Sequence, residues 1–419
     1  MNVAVLGSGG REHSICYKLK QSSLIKNLYC IPGNAGTSDI AINVNIDLLN
    51  FKKLEFFFKK KKINYIFVGP ELPLVKGIKN YFKDKIFIFG PNKFVSQLES
   101  SKIFTKNLCK KYDIPTAKFR SFNNLNGLKE YLDNFNTPIV VKADGLASGK
   151  GVIICKTKQK AFDICKKISS GLFKSSNKFI IEEFLEGEEL SYFIISDGKS
   201  YKFFGSAQDH KKIGEKDTGP NTGGMGAYSP AHILNKDLEK KIINKIIDPT
   251  IKALKEYGHT YTGILYAGLI VKNNEPKLIE YNIRLGDPEC QVLMTKLKTD
   301  LGKILLFCKK KKLQKIKINW FNYKTITVVA SSKGYPWKTD KPSEIKNLKN
   351  LKISNNEYIF HAGTFYKNGK IFSTGGRTLN ITSKDKNLKN ARTKCHIILK
   401  KISWKNKYYR KDIGWRAIN

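Results

Sequence analysis

Strand-like and helix-like segments alternate through the first hundred residues, and this alternation limits the possible folds more than any other feature of the chain. Amphipathic stretches at residues 11–20 and 48–60 lie between short apolar runs at residues 3–7, 28–31, 65–69 and 86–90. This pattern is typical of a doubly wound parallel sheet. Ligands of such sheets bind beyond the carboxyl ends of the strands, so the turns that begin at Gly7, Pro32 and Gly69 should form one binding rim.

The rest of the chain divides into two further blocks, as its length of 419 residues allows. The second block begins with a helix-like segment before Pro115 and closes with two strand-like segments around Asn273 and Asn274. From about residue 323, glycines separate short strands, and an apolar helix follows near residues 390–402. We therefore predict a doubly wound, Rossmann-like α/β domain, a central α+β domain and a small α/β domain, with boundaries at 1–100, 101–322 and 323–419.

The formal net charge of +41 raises the question of a nucleic-acid partner, because clustered basic residues neutralise phosphates. Only seven of the 76 basic residues are Arg, the side chain whose bidentate fork reads bases, and the others are Lys. A surplus of Lys together with many Asn, Ile and Phe is what AT-rich codons produce. We therefore interpret the charge as compositional drift and predict no nucleic-acid partner.

Three other classes of protein are disfavoured by the sequence. No segment approaches the roughly 18 consecutive apolar residues of a membrane-spanning helix. The first residues run directly into a strand and a glycine turn, without the pattern of a secretory signal. The eight cysteines are scattered singly, which argues against a disulfide framework or a zinc knuckle. We expect a cytoplasmic protein with reduced, buried cysteines and no membrane contact.

The first glycine turn, GSGGRE from Gly7 to Glu12, resembles a dinucleotide fingerprint but departs from it. Glu12 occupies the place of the third glycine, and the second strand lacks an acid near Cys30 that could hold a ribose hydroxyl. Nicotinamide binding is therefore disfavoured. A helix N-terminus with Arg11 beside it suits a single phosphate, and the alternative of a tight turn without a ligand stays open.

A second glycine-rich stretch, KADGLASGKGVII, follows an apolar run at residues 142–154. It is one residue short of the Walker pattern, and Gly151 replaces the Ser or Thr that would hold magnesium. The residues fit a different arrangement better, in which Lys142 is a fixed phosphate donor and the glycines form a flap over a nucleotide. A plain glycine-rich hairpin is the alternative.

The segment IEYNIR predicts a metal site. Glu280 and Asn282 are two residues apart on a predicted strand, so their side chains share one face. A carboxylate and an amide oxygen, completed by phosphate oxygens and water, suit magnesium. Arg284 continues that face and could bind a carboxylate or a phosphate bidentately. The alternative is a solvated polar face on an edge strand.

A strand that runs into Glu182, Glu183, Phe184 and Leu185 could bring backbone groups to an adenine edge, with Glu188 or Glu189 at the ribose.

Taken together, the segments closely resemble the phosphoribosylamine–glycine ligase family of the ATP-grasp superfamily. The matching segments are VLGSGGREH, PGNAGT, GPELPLVKGI, VKADGLASGKGV, QDHKKIGEKDTGPNTGGMGAYSP, YNIRLGDPE and RKDIGWRA. They span essentially the whole chain in order, and the loop at residues 208–230 is the most specific of them.

The resemblance implies an ATP-grasp fold in the central domain, with a mobile lid around residues 116–190, and a monomer. It implies that ATP phosphorylates glycine and that the amine of 5-phosphoribosylamine attacks the glycyl phosphate, with Mg²⁺ or Mn²⁺ at Glu280 and Asn282. By similarity, the nucleotide would be bound by Lys102, Lys142, Gly145, Ser148, Gly149, Lys150, Gly151, Glu182, Glu183, Leu185 and Glu189. Arg284 would stabilise the charge that develops between glycine and the γ-phosphate.

The sugar phosphate would lie on the N-terminal rim. The substrate-binding residues implied are Gly9, Gly10, Arg11, Pro70 and Glu71, with Gly223 and Gly224 in the long loop. Asp209 and Asp217 could orient the attacking amine or the ammonium group of glycine, whereas His210 could be structural or transfer a proton. The segments at 361–364 and 375–377 would close the site from the other side.

Two departures from the family pattern concern packing and the metal. Ile283 and Leu285 stand where the family commonly has Cys and Phe, and both remain apolar. Gly268 stands where many ATP-grasp enzymes carry a further acidic ligand, so the number of bound ions is open. The rival interpretations are an ATP-grasp carboxylase acting on an imidazole ribonucleotide with bicarbonate, a basic nucleic-acid-binding protein and an inactive relative.

Overall fold

The computed structural model describes residues 1–83, 85–147, 151–173, 176–338, 341–348 and 350–418. Within these residues the strands form several sheets, of which a parallel sheet, a large mixed sheet and a four-stranded sheet surround the candidate site. The predicted multidomain α/β and α+β fold is confirmed.

The N-terminal unit is the predicted doubly wound sheet. Its parallel strands lie in the order β3-β2-β1-β4-β5. The strands are β1 Asn2–Gly7, β2 Asn27–Pro32, β3 Ile42–Asn43, β4 Tyr65–Val68 and β5 Phe87–Phe89. The helices are α1 Gly10–Lys20, α2 Phe51–Lys60, α3 Glu71–Val75, α4 Ile78–Phe82 and α5 Gln97–Ser100.

Alternate residues of β1 pack into two different cores, because successive side chains of a strand point to opposite faces. Ala4 and Leu6 belong to one apolar cluster, and Val3 and Val5 belong to another. Both clusters also contain residues of the large mixed sheet. The carboxyl ends of the parallel strands are thereby held against that sheet.

A smaller unit follows, with a four-stranded antiparallel sheet in the order β6-β9-β7-β8. Its apolar cluster includes Phe122, Ile139 and Phe179, and it is separate from the other cores of the described chain. The mobility predicted for residues 116–190 stays a prediction. The elements are α6 Lys102–Lys111, β6 Phe119–Phe122, α7 Leu128–Asp133, β7 Ile139–Ala143, β8 Val152–Cys155, α8 Lys158–Ser169 and β9 Phe179–Glu183.

The central part of the large sheet comes from the next segment. The strands are β10 Glu188–Asp197, β11 Tyr201–Asp209, β12 Lys212–Gly214, β13 Thr218–Asn221, β14 Gly226–Ser229, β15 Thr262–Lys272 and β16 Glu275–Asn282. The helices are α9 Lys236–Ile242, α10 Asp248–Glu256, α11 Glu289–Lys296 and α12 Leu301–Lys309, with a π-helical turn at Ile243–Ile247 between α9 and α10. Asn273 and Asn274 connect β15 and β16 with positive φ, as the predicted turn requires.

The C-terminal segment completes the same sheet, because β17 pairs with β14. The large sheet therefore runs β16-β15-β10-β11-β14-β17-β22-β19, with β23 beside β17. The predicted boundary at 322 lies within the chain that builds this sheet, and it stays a prediction. The elements are β17 Lys324–Ser332, β18 Ser343–Glu344, β19 Glu357–His361, β20 Thr364–Lys367, β21 Lys370–Ser373, β22 Arg377–Asp385, α13 Leu388–Lys401, β23 Lys407–Tyr408 and α14 Trp415–Ile418.

Two further expectations can be compared with the structure. All eight cysteines are free and buried, as predicted. Among the helices of the described chain, none combines the length and the apolar character needed to cross a membrane.

Candidate active site

A cleft of about 1150 Å³ lies between the N-terminal rim, the small sheet, the face of the large sheet and the C-terminal segment. Most of the predicted site residues line it. They are Arg11, Glu71, Lys102, Lys142, Gly145, Gly151, Glu182, Glu183, Leu185, Glu189, Asp209, Asp217, Gly223, Glu280, Asn282 and Arg284. Ser148, Gly149 and Lys150 lie outside the described residues.

A buried charge network lies at the end of the cleft that contains Lys142. The Nζ atom of Lys142 lies 2.8 Å from Oε2 of Glu182, and the Nζ atom of Lys106 lies 3.3 Å from Oε1. Lys102 donates a hydrogen bond of 2.9 Å to the carbonyl of Gly145 at the start of the flap. Glu182 therefore holds two lysines at the cleft wall, where the sequence predicted a contact with adenosine.

The predicted hinge residues follow on the same wall. Oε1 of Glu183 accepts a 3.0 Å hydrogen bond from the amide of Lys118 on the strand side, and Leu185 lines the cleft. Of the two candidates for the ribose, Glu189 lines the cleft, with Oε2 2.6 Å from Nζ of Lys211. Glu188 instead approaches His232, at 3.5 Å.

The predicted metal ligands share one face of β16, as their spacing requires. Burial would raise the pKa of the Glu280 carboxyl, but the ammonium groups of Lys211, Lys142 and Lys102 hold this pKa below its usual value. Glu280 is therefore ionised and able to bind a cation. Within the described residues, no three His, Cys, Asp or Glu side chains are grouped as a complete metal site. One carboxylate and one amide fit an ion that takes its other ligands from phosphate and water.

Arg284 follows β16 and is held by two carboxylates from the N-terminal unit. Its Nη2 lies 2.6 Å from Glu99 and its Nε lies 3.3 Å from Glu71. The other oxygen of Glu99 accepts the amide of Ile283 at 2.8 Å. Burial raises the pKa of Glu99 to about 7, although the Arg284 guanidinium opposes the rise. The guanidinium of Arg284 thus faces the cleft beside Glu280. Glu99, one of the two carboxylates that hold it, titrates near neutral pH.

The glycine turn after β1 does not offer the open anion site that the sequence predicted. The amide of Gly9 donates a 2.6 Å hydrogen bond to Oε2 of Glu12, and Nε of Arg11 lies 2.7 Å from Oε1. A carboxylate of the chain therefore occupies the N-terminus of α1. A side chain at Gly69 would overlap this carboxylate, because its Cβ would lie 1.9 Å from Oε1.

Gly10 is covered from the other side of the molecule. A Cβ atom at Gly10 would lie 2.1 Å from the side-chain nitrogen of Asn380 on β22. The amide of Gly9 is thus bonded within the chain and Gly10 lies against Asn380, and binding of the sugar phosphate by Gly9 and Gly10 stays a prediction. Pro70 precedes α3 and Gly224 packs against Pro288, while Arg11 and Glu71 line the cleft.

The two acids of the long loop have different surroundings. Burial raises the pKa of Asp209 well above its usual value, against the pull of Lys211, and Glu289 and Glu189 add to the rise. Asp217 instead pairs through both oxygens, with Arg410 at 2.8 Å and Arg416 at 2.5 Å. Asp209 is therefore the acid that remains available to a ligand in the cleft.

His210 has a structural place. Its Nε2 accepts a 2.8 Å hydrogen bond from the amide of Gly414, so Nδ1 carries the proton of the neutral ring. Nδ1 faces Oδ1 of Asp217 at 3.6 Å. Of the two roles left open by the sequence, this geometry favours a tie between the long loop and the C-terminal segment.

The C-terminal segments close the far side of the cleft, in part as predicted. Arg377 lines it and donates hydrogen bonds of 2.5 Å to the carbonyl of Gly223 and 2.6 Å to that of Asp287. His361 is buried instead, and its amide donates a 2.8 Å hydrogen bond to Nδ1 of His13. The first segment therefore ties the N-terminal and C-terminal units together, while the second reaches the cleft.

Four residues of the site were not singled out from the sequence: Glu99, Lys106, Lys211 and Glu289. Lys211 and Glu289 lie within motifs that the sequence displayed, so the motifs carried a usable signal. Glu99 and Lys106 lie on helices that look like ordinary amphipathic ones. Their positions are evident only from the tertiary structure.

Comparisons with known proteins match this architecture over the whole chain. The N, ATP-grasp (A) and C domains of phosphoribosylglycinamide synthetase match residues 1–99, 100–290 and 325–416. A phosphoribosylamine–glycine ligase of Brucella melitensis is 44% identical over 100% of this chain and 98% of its own length. A chloroplastic one of Arabidopsis thaliana is 44% identical over 97% of this chain and 79% of its own length.

Solved structures give the same grouping. The crystal structure of phosphoribosylamine–glycine ligase from Thermotoga maritima is 33% identical, with a TM-score of 0.86, and covers 99% of this chain and 100% of its own. An N5-carboxyaminoimidazole ribonucleotide synthetase of the same organism has a TM-score of 0.65 at 15% identity, over 97% of this chain and 99% of its own. That second likeness shows the fold alone.

Proposed function

This chain belongs to the phosphoribosylglycinamide synthetase family, and we propose that it is an ATP-dependent ligase that joins glycine to 5-phosphoribosylamine in de novo purine biosynthesis. The products are glycinamide ribonucleotide, ADP and phosphate. The observation that carries the proposal is the convergence of Lys142, Arg284 and the Glu280–Asn282 pair on one cleft.

The reaction proceeds through glycyl phosphate. A carboxylate oxygen of glycine attacks the γ-phosphorus of ATP, the bond to the bridging oxygen breaks, and ADP leaves. The amine nitrogen of phosphoribosylamine then attacks the glycyl carbonyl carbon. The carbon–oxygen bond to phosphate breaks, and the nitrogen loses one proton.

The side chains of the cleft serve this chemistry mainly by positioning and charge neutralisation. Lys142 and Lys102 bind the nucleotide phosphates, with Gly145 and Gly151 beside them on the cleft wall. Glu280 and Asn282 would hold Mg²⁺ or Mn²⁺, which supplies neutralisation of phosphate charge when bound. Arg284 orients the glycine carboxylate towards the γ-phosphate.

The sugar-phosphate end is assigned to the two predicted residues that line the cleft, Arg11 and Glu71. Arg11 retains guanidinium donors beyond those that it gives to Glu12 and to the carbonyl of Leu285. Arg11→Ala should therefore raise the KM for phosphoribosylamine more than the KM for ATP. An unchanged KM would place the sugar phosphate elsewhere in the cleft.

The decisive experiment measures phosphate release with ATP, glycine and freshly generated phosphoribosylamine, and omits each in turn. We expect release to require all three. A carboxylase of the same fold would respond to bicarbonate instead of glycine, so parallel reactions with the two compounds separate the alternatives. Release that responds to bicarbonate alone would overturn the proposal.

The metal assignment has its own test. Glu280→Ala should abolish glycine-dependent ADP release while leaving the thermal midpoint close to that of the unmodified protein. Turnover retained at saturating magnesium would contradict the assignment. The same titration with manganese compares the two ions.

The remaining features of the proposal are a monomer, a cytoplasmic location and the absence of a nucleic-acid partner. The small-molecule chemistry of the cleft requires neither a second subunit nor a nucleic acid. Light scattering at micromolar protein would reveal an oligomer. Filter binding to DNA at moderate salt would reveal a polyanion site.

A further inference from the structure

A row of residues crosses the face of the large sheet beside the proposed metal ligands. Glu280 lies opposite Gly268, and Gly268 lies opposite Ser191. Directly opposed residues share one face of a sheet, so a hydrogen atom and a hydroxymethyl group continue the row from the Glu280 carboxylate. The floor of the cleft is therefore shallow at this point and leaves room for a small molecule.

Helix α11 begins over this floor with the carboxylate of Glu289. The hydroxyl of Ser191 lies 2.9 Å from the hydroxyl of Tyr266 and 3.4 Å from Oε1 of Glu289, so one O–H of the two hydroxyls can be directed to the carboxylate. A side chain at Gly286 would meet Oε2 of Glu289, because its Cβ would lie only 2.3 Å away. The carboxylate is thus folded back over Gly286 at the cleft wall, and Glu289 is only 3% exposed.

A second carboxylate faces the same space from β11. Ser191 lies opposite Ala207, and the antiparallel count then places Glu189 opposite Asp209. Glu189 is paired with Lys211, at 2.6 Å. Among the described residues, neither Asp209 nor Glu289 has an ion-pair partner. Both line the cleft.

Two carboxylates without a cation, enclosed by a cleft wall, favour a cationic ligand because buried charges are stable only when paired. The neighbouring cations of the chain are already engaged: Lys211, which acts on Asp209, is paired with Glu189, and Arg284 contacts Glu71 and Glu99. A ligand that places an ammonium group at the carboxylates and a carboxylate at Arg284 would satisfy both ends. Glycine is such a ligand, and the floor at Gly268 and Ser191 suits its lack of a side chain.

We propose that Glu289 and Asp209 bind the ammonium group of glycine and thereby select the amino-acid substrate, an inference that rests on the proposed function. Tyr266 closes one side of this ammonium site through its hydrogen bond with Ser191. Asp217, the other acid predicted for this task, has both oxygens on arginines. It therefore does not contribute to the ammonium site.

Glycolate tests the assignment, because it has a hydroxyl where glycine has the ammonium group. Phosphate release is measured with ATP, phosphoribosylamine and either compound, and the ratio of the two kcat/KM values gives the preference for the ammonium. In Glu289→Gln and Asp209→Asn we expect this ratio to fall by about 30-fold, since removing one partner of a buried charge pair has an effect of that order. The loss should lie in glycine use, with glycolate use little changed.

Three controls make the result specific. Asp217→Asn and the exposed Glu256→Gln should keep the ratio, and ADP binding by each variant should show an intact nucleotide end. An unchanged ratio in Glu289→Gln and Asp209→Asn, or a fall in Asp217→Asn, would overturn the inference. A fall in only one of the two would overturn the shared site and leave that residue alone. If the unmodified protein released no phosphate with glycine, the proposed function itself would fail.

Discussion

Arg284 at the cleft and the buried Arg410 are each held between two carboxylates, yet they differ in how completely their donors are satisfied. Arg410 forms a bidentate pair with Asp412 at 2.8 Å, contacts Asp217 at 2.8 Å and donates to the carbonyl of Lys212 at 3.0 Å. Its side chain is 0% exposed. Arg284 has one short contact, to Glu99, and longer ones to Glu71 and Leu285, and it lines the cleft with 16% exposure.

In this molecule, a structural ion pair differs from a functional one in how many of the guanidinium donors already have short partners. A guanidinium whose donors all have short partners has no capacity left for a ligand. The Arg410 cluster therefore fastens the C-terminal segment to the long loop that carries Asp209. The Arg284 cluster keeps a guanidinium at the cleft that a substrate carboxylate can still engage.

The acids of the two clusters differ in the same sense. Burial would raise the pKa of Asp217, but the neighbouring His210 ring and the hydrogen bond from Arg410 lower it below its usual value. Arg410 lowers the pKa of Asp412 in the same way. Glu99 instead has a pKa raised to about 7 by burial, with Glu71 adding to the rise. Asp217 and Asp412 are thus charged throughout the physiological pH range, whereas Glu99, which holds Arg284, titrates within that range.

The largest effect is expected from Arg410→Met, because Asp412 would lose its arginine and Asp217 would lose one of its two. Breaking a buried pair in this way destabilises proteins by about 3–5 kcal/mol. Chemical denaturation should show a loss of this size, and Arg392→Met, at a half-buried position of α13 with one long hydrogen bond of 3.4 Å to the carbonyl of Ile413, should change the free energy of unfolding much less. A loss below about 1 kcal/mol would remove the distinction between the two clusters.

Arg284→Lys should have the converse result, with a large effect on catalysis and a small one on folding. Lysine keeps the charge but loses the planar fork that binds a carboxylate bidentately. We expect kcat/KM for glycine to fall by about 100- to 1000-fold, as on removal of a preorganised charge donor. Steady-state ADP release and a thermal melt measure the two sides. Activity within a few-fold of the unmodified protein would make Arg284 a structural residue like Arg410.

The contact between His13 and His361 provides a third kind of tie, without charge. Burial lowers the pKa of His361 from 6.5 to about 4. The unfolded chain therefore takes up a proton below pH 6.5 that the folded chain refuses until about pH 4, so stability is lost as the pH falls through this window.

At pH 5 the lowered pKa of His361 reduces the free energy of unfolding by about 2 kcal/mol relative to neutral pH. His361→Gln removes the titrating ring. Between pH 7.5 and pH 5 the unmodified protein should lose more stability than this variant, by that amount. If urea titrations showed the same loss of stability between pH 7.5 and pH 5 in the unmodified protein and in His361→Gln, His361 would not be held neutral in the folded protein.

The sequence predicted much of this arrangement for identifiable physical reasons. The alternation in the first hundred residues determined the parallel sheet, and the spacing of Glu280 and Asn282 placed both on one face of β16. One contact at the first glycine turn was not predicted: Glu12, which the sequence placed on α1, bends back and accepts the amide of Gly9 at the N-terminus of that helix. No periodicity reveals such a return.

Contacts between distant segments were the other part that could not be predicted. Glu99 reaches Arg284 across 185 residues of chain, and Arg410 reaches Asp217 across 193. Each partner looks like an ordinary surface charge in its own segment. The motifs identified Arg284 and Asp217, but the packing of domains decided which of them would remain accessible.

The smallest effect is expected from Glu99→Gln, which tests whether the carboxylate that holds Arg284 titrates near neutral pH. Above about pH 7 Glu99 is ionised and fixes the guanidinium, whereas below that pH it takes up a proton and the hydrogen bond loses its charge. Glu99→Gln resembles the protonated form. It should therefore lower kcat/KM by about tenfold at pH 8, corresponding to one charge-assisted hydrogen bond. At pH 6 it should change kcat/KM little, so that the acid limb of the pH profile flattens. An equal loss at both pH values would mean that Glu99 stays ionised like Asp217, and the two clusters would then differ in exposure alone.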